Sequence, residues 1–175
     1  MKHTQKVKLL NVASKKSVNG VVRLGSLKEM PSMKVGWEFD FDKNFKLPFS
    51  QSYVLTTTET PHIIEGALNF QLLNNEIPYL AYIEIAPQNR TKPKKYKNVA
   101  ECLIAYACKL SFQQGKAPHH KGFLVLDVLE DNLVNEQKLI NHYRTKYNAL
   151  LFIPPTRLLI SPEVGKAHIE KYLEG

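Results

Sequence analysis

YLAYIEIA, residues 79–86, is followed through a basic loop by VAECLIAYACKLSF, residues 99–112, and these two stretches decide the fold. The first carries one charge in eight residues, Glu84. A segment apolar on both faces belongs in the middle of a sheet covered on both sides. Pro87 ends it. In the second stretch only Glu101 and Lys109 are charged, and Val99, Leu103, Ala107 and Leu110 recur at helical spacing, which predicts a mostly buried helix. Gly115 and Pro118 stop it. GFLVLDV, residues 122–128, is then a second buried strand, most simply parallel to the first by a right-handed crossover.

Outward from this unit the signals alternate. Tyr53–Thr58 reads as a strand, and Ile63–Leu73, closed by the turn Asn74-Asn75, reads as the next, so a hairpin meander precedes the buried strand. Downstream, Leu139, Ile140, Tyr143 and Tyr147 mark one face of a helix over 136–148. Leu150–Ile153 and Arg157–Ile160 are strands around a Pro154-Pro155 turn, and Ser161-Pro162-Glu163 opens a terminal helix as N-cap, first-turn proline and dipole-matched acid. The first fifty residues are the least patterned. In them Trp37, Phe39 and Phe41 alternate with Glu38, Asp40 and Asp42, which predicts a strand with one wet face. The order is mixed α/β with one core and excludes a helix bundle or a β-sandwich.

The chain has 175 residues, about one domain, and such a domain buries roughly 70% of the surface its unfolded chain exposes. The composition, 43% hydrophobic and 23% charged with 8 Gly and 10 Pro, excludes collagen-like, low-complexity and wholly disordered classes. No apolar run approaches the ~18 residues that span a bilayer, and the start lacks the apolar core of a secretory signal, so a soluble cytoplasmic protein without membrane partners is expected. Cys102 and Cys108 sit six apart on the expected helix, ~9 Å along its axis and too far for a disulfide. They read as buried thiols. No CxxC or HxxxH spacing accompanies them, so no metal is expected.

With 24 Lys and Arg against 16 Asp and Glu, the net charge is +8, which favours a phosphate-rich ligand or a nucleic acid without choosing between them. The loop after the buried strand concentrates Arg90, Lys92, Lys94, Lys95 and Lys97 just before a helix N-terminus. There unpaired N–H groups and the positive end of the helix dipole suit a pyrophosphate. A solvated basic loop is the alternative.

IEIAPQNR…KKYKNVAECLIAYACKLSFQQG…GFLVLDVLEDN…KLINHYRTKYNALL resembles the core of the GNAT N-acetyltransferase superfamily, and is most similar to a bacterial branch of it. The likeness covers about 52–173 and is most specific between Ile83 and Tyr147; residues 1–50 add little, within a single GNAT-like domain over 1–175. It implies a mostly antiparallel α+β sheet with a central parallel strand pair and flanking helices. It also implies acetyl-CoA as co-substrate. The pantetheine arm would extend the sheet at the strand ending in Ile85 and Ala86. The pyrophosphate would sit in a loop of pattern Gln/Arg-x-x-Gly-x-Gly/Ala, onto which Lys95, Asn98 and Ala100 fall, with Tyr96, Lys97 and Val99 between them. Asn at the first glycine tolerates the left-handed conformation the loop needs, and Lys keeps the charge but loses a planar fork.

Tyr143 matches the family tyrosine that protonates the departing CoA thiolate, although a core tyrosine on the apolar stripe is the competing role. An asparagine often found seven residues before that tyrosine is Glu136 here, with Asn135 one position off. Glu84, desolvated in a central strand, is the candidate general base, with Glu65 on the neighbouring strand as the other choice and a structural carboxylate as the alternative. Tyr82 and Ala86 share its face. His119 and His120 are expected to face solvent. The function implied is acetyl transfer from acetyl-CoA to an amine, by a monomer or homodimer. The rival is a GNAT-like fold without the chemistry, contacting nucleic acid nonspecifically, or a protein, through its basic surface.

Overall fold

Alternation builds the first strand, because Gln5, Val7 and Leu9 of β1 (Thr4–Asn11) point inward while their neighbours stay wet. The computed structural model describes residues 4–130 and 132–175. After β1 come β2 (Ser17–Leu24), the short helix α1 (Phe41–Asn44), β3 (Ser50–Thr57), β4 (Gly66–Leu73), β5 (Ile77–Ile85) and α2 (Pro87–Arg90). Then follow β6 (Tyr96–Lys97), α3 (Val99–Gln114), β7 (Leu124–Asp127), α4 (Leu133–Lys146), β8 (Leu150–Ile153), β9 (Arg157–Ile160) and α5 (Pro162–Tyr172). One nine-stranded sheet has the order β6-β1-β2-β3-β4-β5-β7-β9-β8. Every neighbouring pair is antiparallel except β5 and β7. The expected mixed sheet with a central parallel pair is therefore present, and the least patterned residues supply its β1–β2 hairpin.

Helix α3 packs on one face with α5 behind it, and its buried face, from Val99 through Leu103 and Ala107 to Leu110, joins Leu55, Leu68, Leu124 and Ile160 in the main core. Gly66 permits the close approach: a Cβ there would stand 2.7 Å from Val99 and 2.8 Å from Leu103. The other face of the sheet is covered by residues 30–45, where Met30, Trp37 and Phe41 bury against Val54, Ala67 and Ala86. Strand β5 is thus covered on both faces, as its composition predicts. Ser161 caps α5 through a bond from the Val164 N–H.

Two expectations are corrected. Trp37–Phe41 is not a strand; Gly36 (φ 88°) turns the chain, and the segment crosses the sheet and enters α1. The N–H groups of Glu38 and Phe39 go to the Glu84 carboxylate instead of a neighbouring strand. The aromatic alternation reflects rings folded together, Trp37 and Phe41 meeting edge to face at 6.0 Å. The strand expected from Ile63 begins at Gly66, because Ile63 closes a turn on Thr60.

Candidate active site

Strands β5 and β7 pair at only two positions, Tyr79 with Val125 and Leu80 with Leu126, and then separate. The cause lies partly in β5. Asn69 of β4 pairs with Tyr82 and Phe70 with Leu80, so Ala81 is a bulge residue that reverses the faces beyond it. Leu80, Ile83 and Ile85 face α3, while Tyr82 and Ala86 face the 30–45 segment. Between β5 and β7 a cavity of about 330 Å³ opens, floored by Ala100 and Ile104 of α3 and walled by Leu139, His142 and Tyr143 of α4 and by Tyr147 at its C-cap. From Ala81 to Ile85 the β5 edge toward this cavity has no strand partner among the described residues.

Glu84 is buried on the side of the 30–45 segment and its carboxylate is committed. Oε2 accepts from the Glu38 N–H at 2.8 Å and Oε1 from the Phe39 N–H at 2.9 Å. Arg90 stands 3.0 Å from Oε2, pairs with Glu38 at 3.2 Å and donates to the Gly36 carbonyl at 2.8 Å. Residues 36–39 are thereby strapped to Glu84 and Arg90, with Glu38 and Phe39 in the cavity lining. Burial raises the Glu84 pKa against the lowering pull of the two N–H groups and the guanidinium. Glu65 is fully buried away from the cavity, accepting from Gln88 and Asn89 at 2.9 and 2.8 Å with Lys95 at 3.5 Å.

Tyr143 lines the cavity with 9% of its surface exposed, and its hydroxyl has no hydrogen-bond partner among the described residues. Burial pushes the phenol up to about 12. The neighbouring Tyr147 phenol is raised further, and burial ahead of the Lys146 charge lowers His142.

Asn98 is the N-cap of α3 and adopts the left-handed conformation, φ 72° and ψ 13°. The first helical bond runs from the Cys102 N–H to the Asn98 carbonyl, so the N–H groups of Asn98, Val99, Ala100 and Glu101 have no acceptor in the helix. Val99 turns its side chain into the core, and Ala100 and Ile85 line the cavity. The preceding loop is held from within: the Lys95 N–H goes to the Gln88 carbonyl and the Tyr96 N–H to Asn89 Oδ1. Lys95 also turns its ammonium toward Glu65, Tyr96 is buried, and Lys97 is exposed beside Lys92 and Lys94 around a second hollow. Ala86 is buried and gives its N–H to the Glu65 carbonyl. Asn135 is exposed in the first turn of α4, donates its N–H to Asn132 Oδ1, and is not among the cavity residues. His119 is exposed and His120 half-buried.

The structure brings Glu84, Ile85, Ala100 and Tyr143 to one cavity, confirms Tyr82 on the Glu84 face there, and adds Phe39 and Asp127, to which the sequence assigned no part in a site. Phe39 and Tyr82 meet at 5.2 Å in its lining, and Asp127 is fixed by Arg157 at 2.9 and 2.8 Å. Arg90 was visible only as one cation of a basic loop. Among the described residues no group of three His, Cys, Asp or Glu could hold a metal, and no helix is long and apolar enough to cross a membrane. Both cysteines are free and buried, which pushes their thiols up to about 12.

A strand pair splayed over a helix N-terminus inside a mostly antiparallel sheet is the GNAT fold, and the chain is built on it. The chain is similar to AtaTR solved with acetyl-CoA, at 12% identity over 85% of this chain and 96% of that one, TM-score 0.54. It is similar to spermidine N-acetyltransferase from Vibrio cholerae in complex with CoA and spermine, at 14% identity over 84% and 98%, TM-score 0.51. A KacTA–DNA complex contains a chain similar at 10% identity over 74% and 79%, TM-score 0.52. No protein-family model matches the chain, and no curated protein matches it in sequence.

Proposed function

We propose that the chain, acting as one GNAT-like domain, transfers the acetyl group of acetyl-CoA to an amine. The observation that carries this is the β5 edge from Ala81 to Ile85, left without a strand partner and opening on a cavity that also reaches the start of α3. An extended amide-bearing arm can complete such an edge as an added strand. The N–H groups from Asn98 to Glu101, without an acceptor among the described residues, then meet the pyrophosphate with Lys97 beside them. The arm enters from the α3 side and the acceptor from the strapped side, so thioester and amine meet between β5 and β7. Holding them there supplies most of the rate.

The amine lone pair attacks the thioester carbonyl, the C–S bond breaks, the thiolate takes a proton from Tyr143, and the proton that the new ammonium loses passes through water to restore the Tyr143 phenol. Two of the four hydrogen-bonding positions of the Glu84 carboxylate hold the strap and a third faces Arg90, so we assign Glu84 to holding the strap rather than to taking this proton. Lys95 supports the loop through Glu65, and Asn135 is left without a part.

The rival, nucleic-acid contact through the basic loop, predicts different residues at the ligand. Backbone amide shifts on adding CoA distinguish them. Shifts at Ile83, Ile85 and Asn98–Glu101 are expected; an unperturbed set, with changes only when an oligonucleotide is added, would contradict the transferase reading.

A further inference from the structure

The cavity has the opposite charge to the molecule. Four of the 16 acidic residues line it, Glu38, Glu84, Asp127 and Glu130, against one of the 24 lysines and arginines, Arg90. The exposed and buried parts of its lining also differ. The exposed lining holds the carboxylates of Glu130 and of Glu38, the latter 3.2 Å from Arg90 and with 72% of its side chain in solvent, together with the paired Phe39 and Tyr82 rings. The buried lining is mostly apolar, with Leu80, Ile83, Leu126 and Val128 alongside Tyr143, whose hydroxyl has no partner among the described residues, and its one carboxylate, Glu84, is already taken by the Glu38 and Phe39 N–H groups and Arg90.

These parts make opposite demands on an amine. The attacking nitrogen must be neutral, which a mostly apolar lining favours by disfavouring the ammonium. Carboxylates next to it would do the reverse and hold the proton on. Acids and aromatic faces in the exposed lining are useful only for a charge that stays on, because both attract a permanent cation. Resting on the transferase reading, we propose that the acceptor is a small aliphatic amine with a second positive charge. Its distal cation lies at Glu38, Glu130 and the Phe39–Tyr82 rings, and its reacting nitrogen reaches the buried lining at Tyr143. An acidic acceptor is repelled by the exposed carboxylates, and a monoamine lacks the anchor.

The test titrates the protein, already saturated with CoA, with 1,4-diaminobutane, n-butylamine and 4-aminobutanoate in a calorimeter. The diamine is expected to bind about tenfold or more tightly than butylamine, with a lead that shrinks in high salt, and the amino acid should give no heat. The double variant Glu38→Gln, Glu130→Gln, which alters two exposed side chains and leaves Arg90 paired with Glu84, should bind the diamine no better than butylamine with a melting temperature changed by no more than a few degrees. Equal affinity for the two amines, tighter binding of 4-aminobutanoate, or a full diamine preference in the double variant would overturn the proposal. Absence of heat with CoA itself overturns the transferase reading instead, and the same three titrations on the CoA-free protein then decide the cation site separately.

Discussion

Tyr143 carries one hydroxyl whose worth the structure lets one separate from its ring. The ring packs in the main core, whereas the hydroxyl has no partner among the described residues and faces the cavity. Tyr143→Phe therefore removes no internal hydrogen bond and should leave the melting temperature within about 2 °C. If the phenol protonates the thiolate, single-turnover acetyl transfer should fall ~10²-fold with acetyl-CoA affinity held, because the loss is confined to the transition state. A lowered melting temperature with an intact rate would return Tyr143 to the core. The sequence showed this residue, since it lies on an apolar stripe and matches a family position. It could not show Glu84's commitment, because the N–H groups it accepts lie 46 and 45 residues away. A lone acid in an apolar strand looks the same whether it takes a substrate proton or ties down a loop.

At the level of elements, β5 and α3 were legible because burial leaves a long uniform signature, and Asn98 because few residues tolerate positive φ. The Ala81 bulge was not, since one extra residue changes no composition, only which face each later side chain meets. The strap was misread because period-2 aromatics also arise when a turn folds rings together over a sheet. The loop gives a divided prediction. Asn98→Gly keeps φ 72° available and should leave stability and CoA affinity unchanged or improved, whereas Asn98→Ala should cost about 1 kcal/mol. Lys97→Glu places a negative charge beside the phosphate site on an exposed residue, so CoA binding should weaken while the fold holds. Lys95→Glu sets a carboxylate against the buried Glu65 and should cost about 2 kcal/mol or more of stability. Calorimetry with CoA and thermal melts on the four variants separate the effects; an unaltered melting temperature in Lys95→Glu would remove Lys95 from the support of the loop.

Over the whole molecule, a net charge of +8 is arranged as a basic loop outside and an acidic cavity within, so the total charge could not reveal the sign of the site. Ion pairs across the fold also set its acid limit. Arg23, bonded at 2.7 and 3.0 Å, holds Glu29 down to about 2 from an ordinary 4.5, and Arg157 lowers Asp127 at the cleft. Both carboxylates bind protons less readily folded than unfolded. For Glu29 the stabilisation is complete above about 4.5 and is lost as pH falls toward 2, and Asp127 contributes in the same direction. Glu84, raised by burial, works in the opposite sense. Melting temperature should therefore drop below pH 4.5, and less steeply in Arg23→Gln; an identical slope would deny that pair its part. The central claim is that the gap between β5 and β7 is an acetyl-CoA site, and calorimetric titration with acetyl-CoA tests it most directly. The account predicts one molecule bound per chain in the range of about 1 μM to 1 mM, abolished by a bulky side chain at Ala100, while no heat and no thermal shift at millimolar acetyl-CoA would contradict it.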